Sequence, residues 1–119
     1  MPKLAEVFAD LRAIMAPYAA TLDAKKDDET ELYVDTRHIQ ANDKPLFFGA
    51  VRIKKTCVSF HLMPVYVKPE LLAALSPKLK ARMQGKSCFN FTSSDRPLLE
   101  ELAALTEASY ASYKEQGFV

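Results

Sequence analysis

Two runs of alternating side chains, joined by almost nothing, constrain this chain more than any other feature. In Leu46–Lys54, Phe47, Val51 and Ile53 alternate with Phe48, Ala50, Arg52 and Lys54. In Thr56–Met63, Val58, Phe60 and Leu62 alternate with Cys57, Ser59, His61 and Met63. A period of two puts each set on one face of a strand, and a connection this short folds the second strand back on the first. An antiparallel hairpin is therefore the nucleus around which everything else must be arranged.

The flanking segments fit around it. Apolar residues at Leu4, Val7, Phe8, Leu11, Met15, Tyr18 and Leu22 recur in steps of three and four, which predicts an amphipathic helix from Pro2 toward Leu22. Pro17 should kink or end it near Ala16. Asp23–Glu31 is nearly all polar and reads as a surface connection. Leu32–Arg37 reads as a strand, and Ala41–Pro45 as a turn. After Pro64 come two short helical pieces, Lys68–Leu75 and Ser76–Gln84, with Gly85 at the exit. Lys86–Thr92 is a fourth strand, and a final helix follows Ser93-Ser94-Asp95. The order is α-β-β-β-α-α-β-α. It predicts an α+β two-layer sandwich, a mainly antiparallel sheet with helices on one face, in a single domain spanning 1–119.

Composition supports an ordinary folded core. The chain has 119 residues, with 49% apolar and 26% charged residues, within the globular range. Sixteen basic and fifteen acidic side chains leave a net charge of +1, so no global field favours nucleic acid or an anionic membrane. No apolar run is long enough to span a bilayer, and the opening residues are amphipathic rather than continuously apolar. A cytoplasmic location is expected, with Cys57 and Cys88 as free thiols.

Sequence chemistry offers no recognisable catalytic machinery. The chain has three glycines and lacks a phosphate-cradling loop or a nucleophile elbow. Cys57 and His61 would share a strand face yet lie about 13 Å apart along it, which argues against a small tetrahedral metal site. The face opposite the core is more informative. Alternation places Tyr33, Phe48, Arg52, His61, Cys88 and Asn90 there, with Asp35, Cys57, Ser59 and Met63. Polar groups converging among aromatic walls are what a ligand site requires. The residues thus point to a non-enzymatic binding protein that takes a small ligand or protein partner on that face, with no bound cofactor. Arg52 would supply charge, Tyr33 and Phe48 contact area, and His61 and Asn90 hydrogen bonds.

The runs KPLFFGAVRIKKTCVSFHLMPVY and LSPKLKARMQGKSCFNF, continued by LLEELAALTEASYASYKEQGF, resemble the YdhG-like family, a domain family without an assigned function. One member of that family is regarded as a frataxin-like iron chaperone. The resemblance implies an α+β fold and, as an alternative function, intracellular handling of transient ferrous iron by acidic residues. By position these would be Asp27, Asp28 and Glu31, with Glu6, Asp10 and Asp35 nearby, while the sheet surface would meet partners.

Overall fold

The computed structural model describes residues 4–119; Pro2 and Lys3, the start of the expected first helix, lie outside them. Helix α1 (Leu4–Ala19) leads into strands β1 (Asp23–Asp27), β2 (Glu31–Ile39), β3 (Pro45–Ile53) and β4 (Val58–Leu62). Helix α2 (Met63–Val67), a 3-10 turn (Pro69–Leu72) and helix α3 (Pro77–Lys80) cross to β5 (Cys88–Phe91), and α4 (Arg96–Glu115) closes the chain. The five strands form one antiparallel sheet in the order β1-β2-β3-β4-β5. The chain is α+β as expected, with one strand more than the sequence pattern suggests.

That extra strand is β1. Four of its five residues are exposed, so DAKKD carries no apolar alternation to betray it. It is the free edge of the sheet, and the charges of Asp23, Lys25, Lys26 and Asp27, with an irregularity between Ala24 and Lys26, discourage pairing with another chain. The opposite edge is covered: Gln84 N–H donates to Cys88 O and Asn90 N–H to Arg82 O, both at 2.8 Å, so Arg82–Gln84 lies along β5.

The core fills the space between one sheet face and helices α1 and α4. Val7, Leu11 and Met15 of α1, Val58, Phe60 and Leu62 of β4, and Leu102 and Tyr113 of α4 are wholly buried. Contrary to expectation, α1 runs through Pro17 to Ala19. The proline lies in the last turn on the exposed side, so it removes a single hydrogen bond where the helix is about to end.

The second correction concerns the hairpin. Alternation puts Phe47 in the core and Phe48 opposite, whereas the structure does the reverse. Val34 pairs with Gly49 but Asp35 pairs with Phe47, so Phe48 is the extra residue of a β-bulge. Phe48 is fully buried among the rings of Tyr18, Tyr110 and Tyr113, with centroids 5.8, 6.1 and 6.0 Å away. Phe47 turns to the open face and stacks on Tyr33 at 4.7 Å. The Tyr113 hydroxyl, reaching from α4, donates to the Phe47 carbonyl at 3.0 Å and fastens the bulge to the helix layer. Gly49 is required beside it: a Cβ there would sit 2.6 Å from Met15 Cε and 2.7 Å from the His61 carbonyl.

Candidate functional site

Strand register lays out the open face as rows. One row runs Glu31, Arg52, Ser59, Asn90, and the next runs Tyr33, Ala50, His61, Cys88. A third holds Asp35 and the bulge-turned Phe47. Rows lie about 7 Å apart, two residues along a strand. The middle of this array is low because Ala50 and Ser59 are small, while its surroundings are tall. The result is a concavity of about 350 Å³ lined by Tyr33, Phe47, Ala50, Arg52, Lys54, Ser59, His61, Cys88 and Glu31.

Of the residues expected there, Tyr33, Arg52, Ser59, His61 and Cys88 line the concavity, and Asn90 borders it through Ser59 and Cys88. Phe48 does not reach it, and Phe47 takes its place. Ala50 and Lys54, which share a strand face with Arg52 in the sequence alternation, also line it, and Ser87 joins the site through His61 beyond what the sequence pattern suggests. The bulge had a legible signal, since Gly49 inside an alternating strand marks a bulge or close approach. Ser87 had none: in the expected strand Lys86–Thr92 it alternates with Phe89 and Phe91 on the core side, whereas it precedes β5 and its hydroxyl meets His61.

The aromatic wall is ordered. Phe47 stacks on Tyr33 with 23° between planes and stands perpendicular to the His61 ring, with centroids 5.1 Å apart. His61 Nε2 lies 2.7 Å from the buried Ser87 hydroxyl, which fixes the imidazole plane. Burial, aided by the nearby Lys54 ammonium, pushes the His61 pKa down, so the ring is neutral near pH 7. Burial pushes the Cys88 thiol up, opposed by Lys54, so Cys88 presents a polarisable thiol rather than a thiolate. The Tyr33 hydroxyl is raised by burial and by Asp35 and Glu31.

Charge at the site is asymmetric. Glu31 is neutralised by Lys26 at 3.3 Å. Arg52 and Lys54 have no carboxylate partner within salt-bridge distance among the described residues. Both are exposed, and both line the concavity with Ala50.

The acidic set is not gathered into one centre. Asp27 is gripped by Arg12 through contacts of 2.7 and 2.9 Å. Asp28 Oδ1 accepts the Thr30 N–H, the Thr30 hydroxyl and the Glu31 N–H at 2.8 to 2.9 Å, which holds its pKa down. Lys26 spans Asp28 and Glu31. Among the described residues no group of three His, Cys, Asp or Glu side chains is arranged to hold a metal ion.

A larger groove of about 600 Å³ lies between α1 and α4, where Ala13, Ala103 and Ala104 leave a gap. Its charged rim is Asp10, Arg96, Glu100 and Glu107. It has Tyr18 as its single aromatic residue and no histidine or cysteine, so fewer kinds of recognition chemistry converge there than on the open face. No helix among the described residues is long and apolar enough to cross a membrane. No protein-family model, curated protein or solved structure matches the chain.

Proposed function

We propose that the chain is a non-enzymatic binding protein whose site is the open sheet face, taking a small ligand or a side chain of a protein partner. One observation carries this: small floor residues, Ala50 and Ser59, lie within a rim of three aromatic rings and two cations that no described carboxylate pairs. The volume, about 350 Å³, falls in the lower part of the range of small-molecule pockets. Membership in the YdhG-like family is part of the same proposal, and accords with partner recognition through the sheet.

The test uses hits from a fragment library, with dissociation constants compared by calorimetry between the native chain, Arg52→Ala and His61→Ala. A site on this face requires at least a tenfold loss in one variant. Unchanged affinities for every hit in both would remove the assignment.

A further inference from the structure

Along the open side of β3 and just past its end the residues change character in order: Phe47, then Ala50, then Arg52, then Lys54. An aromatic wall is followed by a small floor, and the floor by two cations. Ala50 and Arg52 are two residues apart, so floor and first cation are separated by about 7 Å, one ring and its substituent. On the neighbouring strands Tyr33 and His61 flank Ala50 directly as its cross-strand partners. Phe47 contacts both of these rings, at 4.7 and 5.1 Å, so a flat molecule over Ala50 would have Tyr33 on one side, His61 on the other and Phe47 at its near end. Its far end would project over Arg52 and Lys54.

We propose that the open face takes a planar aromatic anion, with its ring against Tyr33 and Phe47 and its acid group at Arg52 and Lys54. This rests on the binding role above and narrows it to one ligand class. Aromatic faces offer stacking, and a planar guanidinium matches a carboxylate or phosphate through paired hydrogen bonds. Glu31 shares the row of Arg52, but Lys26 compensates its charge. Asp35 lies at the other end, beside Phe47. His61 adds a neutral ring and no charge, so the positive field over the floor comes from Arg52 and Lys54.

The experiment titrates the full chain with 2-naphthoate, phenyl phosphate, neutral 2-naphthamide and cationic benzylamine. Affinity is read from naphthyl fluorescence where that group is present, since the chain has no tryptophan to contribute background. Position is read from amide shifts in an assigned spectrum, which also supplies benzylamine and phenyl phosphate affinities. The expected result is saturable binding of 2-naphthoate that shifts Tyr33, Ala50, His61 and Cys88. The neutral amide should bind at least tenfold more weakly. The double variant Arg52→Gln/Lys54→Gln should lose at least tenfold for naphthoate while keeping a native spectrum. Comparing phenyl phosphate with naphthoate decides whether the preferred acid is a phosphate or a carboxylate. Equal binding of amide and acid, or tighter binding of benzylamine at the same row, overturns the ligand class and leaves the open-face site standing. Undiminished naphthoate binding by the double variant also overturns the class. Shifts confined to the α1–α4 groove, or none with any probe, remove both.

Discussion

Exchanging the roles of two adjacent phenylalanines makes the bulge testable by stability alone. Phe48 is fully buried and touches three tyrosine rings. Removing a buried phenyl ring costs about 3–5 kcal/mol in lost transfer energy and residual cavity. The three ring contacts place Phe48→Ala toward the upper end, about 4–5 kcal/mol. Phe47 is half-buried on the open face with two ring neighbours, so Phe47→Ala should cost only about 1–2 kcal/mol. A difference of about 2 kcal/mol or more corresponds to roughly 30-fold in the folding equilibrium. Urea unfolding followed by circular dichroism reads it directly. With a denaturant slope of about 1.5 kcal/mol/M, the midpoint should fall by about 3 M for Phe48→Ala and by about 1 M for Phe47→Ala. Phe48→Leu, a milder lesion, gives the same ranking if the alanine variant is unfolded in water. Equal costs, or a larger cost at Phe47, would mean that β3 alternates without a bulge and that Phe47 belongs to the core.

Gly49→Ala should cost about 1–3 kcal/mol, because the new methyl meets the His61 carbonyl as well as Met15. Adding Met15→Ala should not restore stability in urea unfolding, since the backbone clash with β4 remains. Glu101→Ala should cost about 1–3 kcal/mol in the same assay: its carboxylate accepts both the Ser76 N–H and hydroxyl at 2.6 Å, tying the start of α3 to α4. His61 also gives the fold a pH dependence of known sign. Its folded pKa lies below the ordinary 6.5, so between those two values the unfolded chain binds more protons than the folded one. The contribution is complete above pH 6.5 and is lost as pH falls through the window, which should lower the melting temperature as the solution is taken from neutral pH to below that value. His61→Gln should flatten that slope, and an unchanged slope would show the ring to be solvated.

Much of the architecture is legible because its residues are periodic. The β3–β4 hairpin and the final helix follow from period two and period 3.6, since each has one face against the core. So do the core positions of β4 and β5: Val58, Phe60, Leu62, Phe89 and Phe91 are all essentially buried. What escapes does so for physical reasons. β1 is an edge strand with almost nothing buried, so backbone pairing with β2 alone defines it. In the crossover, α3 falls within the expected Ser76–Gln84 with Ser76 as its cap, and the expected Lys68–Leu75 is a 3-10 turn at Pro69–Leu72, while α2, five residues long, is too short for a helical period to register. Alternation interchanges Phe47 and Phe48 because one bulge inverts the period at that point. The sequence pattern therefore finds the right strands and rows of the open face, and one wrong phenyl ring.

The acidic segment shows the opposite case, where composition overstates a site. Asp27, Asp28 and Glu31 are close in sequence, yet a guanidinium clasp engages the first, a tight turn the second and a cross-strand lysine the third. Exposed pairs of this kind are individually weak, but each carboxylate already has a cation, Arg12 for Asp27 and Lys26 for Asp28 and Glu31. Ferrous iron would have to displace them. Paramagnetic loss of amide signals confined to residues 23–35 in an anaerobic titration would establish the metal-handling alternative in spite of these competing contacts.

Mapping a fragment library on an assigned amide spectrum of the reduced chain tests the central claim most directly. Binding fragments should cluster their shifts on Tyr33, Phe47, Ala50, Arg52, His61 and Cys88, with aromatic acids prominent among them. Fragments that gather instead around Ala13, Ala103 and Glu107 would place the site between the helices and contradict the assignment of the open sheet face.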